Sequence, residues 1–281
     1  MATIRSMTPA DYAAVAAMAD DAALHTLVGR PLWETEADVA AEVAAIGGQG
    51  AFLVAEDDEG NVAGVAGFRM LEHGEAEIYG PLVTASGNGL GAWLESRVVS
   101  TAEARGAVSY SMLIGLDNRS GQAWAEWRGY LRDSESPELL LTWLYPGDLL
   151  APLPAKERLV RPAVAADANR LQALLEAGFP LDRSRASEWL EEAWVVEQSG
   201  QVAGFLRLEQ AVGWVHHLTV DPALRRQGLG ATLLTEVVPR FWQEQSRKVG
   251  LAVPLDDAAP VSLFRRLGFR REVPVAKWMK R

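Results

Sequence analysis

Two adjacent histidines and, a few residues on, a loop of arginines and glycines are the places where this sequence concentrates chemistry: "WVHHLTVDPALRRQGLGATLL", residues 214–234. Histidine is the side chain whose unperturbed pKa lies closest to neutrality, so His216 and His217 are candidates for accepting a proton. The loop suggests a different task. A strand that runs into Gly-x-Gly and then a helix presents unsatisfied backbone N–H groups at the positive end of the helix dipole, and such an end attracts phosphate. Gly228 and Gly230 remove the Cβ atoms that would hold a phosphate off the backbone. Arg225 and Arg226 add guanidinium groups that can pair with phosphate oxygens. The pattern is neither a Walker loop, because no Gly-Lys-Ser/Thr follows, nor the dinucleotide fingerprint G-x-G-x-x-G. A plainer reading stays open, in which the glycines serve only a tight strand-to-helix turn.

The elements that must carry this loop occur twice. "LVTASGNGLGAWLES" (82–96) repeats the Gly-Leu-Gly without any arginine, and Gly89 lies 139 residues before Gly228. Gly129-Tyr130 and Gly268-Phe269 are separated by the same 139 residues, and "GNVAGVAGF" (60–68) resembles "GQVAGFLRL" (200–208). "TIRSMTPADYAAVAAM" (3–18) resembles "LVRPAVAADANRLQAL" (159–174). Ordered matches at a nearly fixed offset indicate a duplicated domain. Each copy reads as a short strand, an Ala/Leu-rich helix and a second helical stretch (34–46 or 184–192). Two strands about a Gly turn, a third strand, the glycine loop and a helix follow, then a strand, a short helix and a closing strand. The expected class is α+β, with domains at 1–152 and 153–281. The apolar run "ELLLTWLY" (138–145) is expected to close the first domain, and Pro-rich "APLPAKER" (151–158) to link the two.

The chain of 281 residues has no cysteine, which excludes disulfides, thiolate metal sites and a cysteine nucleophile. Its charge of −10 divides unevenly: residues 1–154 carry 8 Lys and Arg against 22 Asp and Glu, and residues 155–281 carry 19 against 15. An anionic ligand is therefore drawn to the second half. No basic, aromatic-interleaved patch suggests nucleic acid, and no apolar run is long enough to span a bilayer. "MATIRSMTPADY" lacks the basic-then-apolar layout of a signal peptide, so a cytoplasmic location is expected.

"LTVDPALRRQGLGATLL" resembles the acetyl-CoA motif of the GNAT superfamily of N-acetyltransferases: an aliphatic strand ending in Val, a proline turn, then Arg/Gln-x-x-Gly-x-Gly/Ala opening a helix. "VSLFRRLGF" (261–269) resembles the family's later helix. The resemblance covers both copies, with the better motif in the second. It implies two tandem GNAT domains, each a mixed, twisted sheet whose central strands splay apart and are flanked by helices. Acetyl-CoA would enter the splay as cosubstrate, its pyrophosphate on Arg225, Arg226, Gln227, Gly228, Leu229, Gly230 and Ala231. Backbone near Leu218–Val220 would hold the pantetheine arm and acetyl carbonyl. Asp257 stands where the family commonly has Asn. Phe264 stands where it often has the tyrosine that reprotonates the CoA thiolate.

Acetyl transfer needs an uncharged amine, and at a pKa of about 10.4 roughly one amine in two thousand is neutral at pH 7. His216 matches a histidine of aralkylamine N-acetyltransferases and is the preferred base. Its neighbour His217 would face the opposite side of the strand, unless a bulge inverts the parity. All five tyrosines lie in the first half, so the second domain has no tyrosine acid. In the first copy the loop is shorter, with Ser86 in the arginine's place, and Glu77 and Tyr79 match Trp214 and His216. That copy reads as a degenerate domain. Trp189 is a candidate wall for the amine, although core packing explains the tryptophans better. The leading function is acetyl-CoA-dependent N-acetylation of a primary amine on a small molecule or peptide. The alternatives are a mycothiol-synthase-like tandem enzyme and a module that binds acetyl-CoA or CoA without turnover.

Overall fold

The computed structural model describes residues 3–20, 33–84, 89–149, 159–180, 182, 184–244 and 247–281. In chain order its elements are β1 (Thr3–Ser6), α1 (Tyr12–Asp20), α2 (Glu36–Ile46), β2 (Gly50–Glu56), β3 (Val62–Met70), β4 (Glu75–Val83), α3 (Leu90–Glu103), β5 (Ser109–Gly115), α4 (Arg119–Trp127), β6 (Leu131–Arg132), β7 (Leu139–Leu144), β8 (Leu159–Pro162), α5 (Ala168–Gly178), β9 (Ala193–Gln198), β10 (Gln201–Glu209), β11 (Trp214–Val220), α6 (Leu229–Glu244), β12 (Val249–Pro254), α7 (Ala258–Leu267) and β13 (Arg271–Lys280). The class is mixed α+β, and the order is that of the repeated pattern. The stretch 184–192 departs from it. Instead of a helix it forms two short 3-10 turns, Ala186–Glu188 and Leu190–Glu192. Only Ala186, Trp189 and a few neighbours are apolar there, too little for a helix-long stripe.

The chain divides into two compact units. One comprises Met1–Leu140, Pro254–Asp256 and Val273–Arg281, and the other comprises Leu141–Val253 and Asp257–Glu272. The closing strands are therefore exchanged relative to chain order. In the first unit the strands run β1-β2-β3-β4-β5-β13, with the chain's last strand antiparallel to β5. In the second they run β7-β12-β11-β10-β9-β8. The expectation that 138–145 closes the first domain is corrected accordingly. Which strand lies beside β5 and which beside β12 is set by pairing between segments far apart in sequence, which local pattern does not give. The 152/153 boundary lies outside the described residues.

The same triad ties down the start of each unit. Arg5 donates to Glu56 (2.8 Å) and forks onto Asp11 (2.7 Å twice). Arg161 does the same to Glu197 (2.7 Å) and Asp167 (2.7 and 3.1 Å). Asp11 and Asp167 also accept the backbone N–H of Thr8 and Val164, which caps the following turn. The paired guanidinium holds both carboxyls below the usual range against the opposing effect of burial.

Both sheets splay at their centres. In the second unit the parallel pair β11/β12 is joined only at Trp214–Gly250 and Val215–Leu251. In the first, β4/β5 is joined only from Glu75–Ser109 to Glu77–Ser111. Gly250 stands where the strands meet because a Cβ there would lie 2.6 Å from the Trp214 ring and 2.7 Å from Trp143 Nε1. Helix α6 covers the second sheet with Leu233, Leu234, Val237 and Val238, all buried. On α5, Gly178 lets the helix end approach β11, since a Cβ at that position would be 2.4 Å from Thr219 Oγ1.

Candidate acetyl-donor site

The loop leaving β11 is built to leave donors unpaired. Asp221 caps the short turn Pro222–Leu224 by accepting from Ala223 N (2.9 Å), and it pairs with Arg170 (2.5 Å). Arg225 is extended, while Arg226 (φ 65°) and Gly228 (φ 82°) are left-handed, so the backbone changes hand along the loop. Such alternation turns successive N–H groups toward one concavity. The first i→i−4 bond of α6 runs from Thr232 N to Gly228 O (2.9 Å). The N–H groups of Leu229, Gly230 and Ala231 precede it and have no partner within the helix. Leu229 and Ala231 bury their side chains, which fixes the helix end. Gly230 faces Leu263, Leu218 and Val220 at 3.6–3.9 Å from an ideal Cβ. Arg225 and Arg226 are exposed. Arg225 Nε reaches the carbonyl of Val220 (3.4 Å), at the open end of the splay, and Gln227 Oε1 accepts from Gln198 (3.0 Å).

The predicted loop residues thus converge on the mouth of the splay with Leu218 and Val220. Two others serve the framework. Asp257 caps α7 by accepting from Ala259 N (3.2 Å), as Asn118 caps α4 by accepting from Gly121 N (2.9 Å). Phe264 is buried edge-on against Phe269 at 5.3 Å.

The two histidines are not on opposite faces. Arg207 pairs with His217 but Leu208 with Val215, which leaves His216 as the extra residue of a bulge in β11. A bulge breaks the alternation, and the imidazoles lie 6.3 Å apart. Each meets its own carboxylate: His216 Nε2 is 2.7 Å from Glu209, and His217 Nε2 is 2.7 Å from Asp182. His216 is partly exposed. His217 is 5% exposed, packed against Phe179 (4.9 Å), Trp189 (5.6 Å) and Phe205 (6.3 Å). Burial pushes its pKa down, which the bond to Asp182 only partly offsets. For Asp182 burial acts upward, but hydrogen bonds from Ser184 and His217 together bring its carboxyl below the usual range.

Trp189 is a core residue. It stacks on Phe205 at 5.4 Å, with the Arg207 guanidinium 5.2 Å from its ring centre, and Arg207 in turn pairs with Glu192 (2.7 Å). Sequence reasoning missed Glu209 and Asp182. The hairpin register places Glu209 opposite Trp214, two residues before His216, and could have exposed it. Asp182 lies in irregular backbone 35 residues from its histidine and carries no such signal. In the first unit, Tyr79 donates to Glu77 (3.0 Å), and both are buried. The Ser86 position falls outside the described residues. No described helix is long and apolar enough to cross a membrane, and no described cluster of His, Asp and Glu could hold a metal ion.

A splayed parallel strand pair with a donor-rich loop at its mouth defines the GNAT fold, and comparison with known proteins agrees. Residues 165–269 match the model of the acetyltransferase (GNAT) family, so the second unit carries a GNAT-family domain, from a family of acyltransferases. Across 99% of its length the chain has the fold of a GCN5-related N-acetyltransferase from Sphaerobacter thermophilus (TM-score 0.73, 21% identity, 95% of that chain). It likewise matches a tandem GNAT protein from the clavulanic acid biosynthesis pathway (TM-score 0.63, 14% identity, 98% of that chain). A mycothiol acetyltransferase from Clavibacter michiganensis is 33% identical over 95 residues, 32% of this chain. The aligned part spans only 31–42% of the length of the curated relatives matched.

Proposed function

We propose that the protein transfers the acetyl group of acetyl-CoA to a primary amine, with the site in the second unit. The observation that carries this reading is the junction of the β11/β12 splay with the loop 225–231. Unpaired N–H groups at Leu229, Gly230 and Ala231, two exposed arginines and a glycine in left-handed backbone suit a pyrophosphate. The open edge of β11 beyond Val215 suits the pantetheine arm and the thioester carbonyl. His216 with Glu209, and His217 with Asp182, are the groups within the splayed segment that can take the amine's proton. With Phe264 buried against Phe269, the position where the family often has its tyrosine supplies no acid, and a thiol pKa of about 8.5 lets the thiolate leave without one from there.

In this reading the first copy (1–152) is a degenerate GNAT-like domain. Supporting this, Glu77 already bonds Tyr79, and the half of the sequence that contains it is strongly acidic, unfavourable for a polyanionic coenzyme. The acceptor is a small-molecule amine, and neither nucleic acid nor membrane takes part.

Calorimetric titration with acetyl-CoA tests the donor site, and one site per chain is expected. Release of CoA thiol in the presence of an amine panel tests transfer. The panel includes a cysteinyl-sugar amine, because relatives of this chain are named mycothiol acetyltransferases. Binding without release for any amine would favour a module that holds acetyl-CoA without turnover. Absence of binding would remove the assignment.

A further inference from the structure

The two histidines offered as proton acceptors differ in one respect. Among the described histidines, His217 alone has a buried ring nitrogen, Nδ1, without a hydrogen-bond partner. Its other nitrogen is held by a chain of bonds that continues well beyond it. Asp182 faces Nε2 at 2.7 Å and accepts from Ser184 N at 2.8 Å, while Ser184 Oγ accepts from Trp189 Nε1 at 3.3 Å. Asp182 is ionised at neutral pH, so it can only accept a hydrogen bond, and the proton of neutral His217 must therefore sit on Nε2. That leaves Nδ1 as a bare lone pair. A structural histidine would normally have that nitrogen satisfied as well, because an unpaired buried acceptor costs about 1–3 kcal/mol. A carboxylate that fixes one nitrogen while the other stays open is the arrangement that orients a histidine for proton transfer.

We infer that His217 is the catalytic base, taking the acceptor's proton on Nδ1, and that Asp182 and Ser184 are positioning residues that fix its tautomer. This rests on the acetyl-transfer reading above. In the step, the ammonium N–H bond breaks and its proton passes to Nδ1, where Asp182 offsets the charge of the imidazolium. The freed nitrogen lone pair forms a bond to the thioester carbonyl carbon. Collapse of the adduct breaks the C–S bond, and the departing thiolate takes the second proton of the nitrogen. The products are the acetamide, CoA thiol and protonated His217.

The groups around His217 make the tautomer testable. Asp182 lies on the segment after α5, Arg207 is its cross-strand partner on β10, and Glu192 in the Leu190–Glu192 turn holds Arg207. His216 with Glu209 lies alongside. Phe179, Trp189 and Phe205 add no charge.

The experiment compares wild type, His217→Gln, His216→Gln and Asp182→Asn by acetyl-CoA titration, by CoA release with the best amine and by ¹⁵N shifts of the ring nitrogens. The expected result is acetyl-CoA affinity within about 3-fold of wild type in all three variants. His217→Gln should lose about 10²–10⁴-fold in kcat, and His216→Gln less than 10-fold. Wild type should show an Nε2–H tautomer near neutral pH. Asp182→Asn should lower kcat, lose that tautomer preference and move the acidic limb of the pH profile, which a merely structural aspartate would not do. It also serves if His217→Gln fails to fold, as its side chain is partly exposed. Full turnover in His217→Gln, loss confined to His216→Gln, or an Nδ1–H tautomer overturns the inference and leaves acetyl transfer standing. No acetyl-CoA binding or no transfer by wild type sinks the function itself, and the inference with it.

Discussion

Arg226 combines two properties that one substitution separates. Its side chain is exposed beside the helix end, and its backbone is left-handed (φ 65°), a region costly for a residue with a Cβ. Replacing it by glycine relieves roughly 1 kcal/mol of backbone strain, against about 0.4–1 kcal/mol of extra chain entropy in the unfolded state. Arg226→Gly should therefore fold with stability equal to wild type or up to about 0.5 kcal/mol higher. Arg226→Ala keeps the strain and should be no more stable than wild type. For ligand the two variants should agree. Each loses a charge-assisted contact to phosphate, about 1–1.5 kcal/mol at a solvent-exposed site, so acetyl-CoA Kd should rise roughly 5–12-fold. The loss should shrink at 0.5 M salt, because the contact is screened there. Urea denaturation measures the first quantity and calorimetry at low and high salt the second. Unchanged acetyl-CoA affinity in both variants would refute the role given to the loop's charge. A clear stability loss in Arg226→Gly would refute the account of its backbone.

Three further outcomes are expected. Gly178→Ala should cost about 1–3 kcal/mol in denaturant unfolding, because its Cβ would sit 2.4 Å from Thr219 Oγ1, and Thr219→Ala should recover part of that loss. His217 is held below its ordinary 6.5, so the unfolded chain binds its proton first. Its contribution to stability is present above pH 6.5 and declines as pH falls through the folded-state pKa. Unfolding measured from pH 7.5 to 5 should show this slope, and His217→Gln should flatten it. Asp167→Asn should destabilise by about 2–3 kcal/mol near neutral pH, since it strips the half-buried Arg161 of its forked partner. The penalty should fade as acid protonates the wild-type carboxylate, whose pKa lies below 3.8.

Much of the architecture follows from local sequence. Hairpins such as β2/β3 and β9/β10 follow from two apolar runs about a Gly turn. The duplication follows from the matched glycines, and the donor loop from Arg225, Gly228 and Gly230 between a strand and a helix. These features are set by backbone conformation and side-chain type within a few residues, so the sequence determines them directly. Where distant segments must meet, the tertiary structure decided. A closing strand was legible in each copy, the first as the apolar run 138–145, yet only packing determined that the last strand would pair with β5 and that β7 would lie beside β12. Parity along β11 was misjudged because one inserted residue, His216, is registered only against the opposing strand. The carboxylates beside the histidines were hidden for the same reason. Glu209 reaches His216 through a hairpin, and Asp182 reaches His217 across 35 residues of chain, so the hydrogen bond that fixes the proton's position exists only once α5 has docked on the sheet.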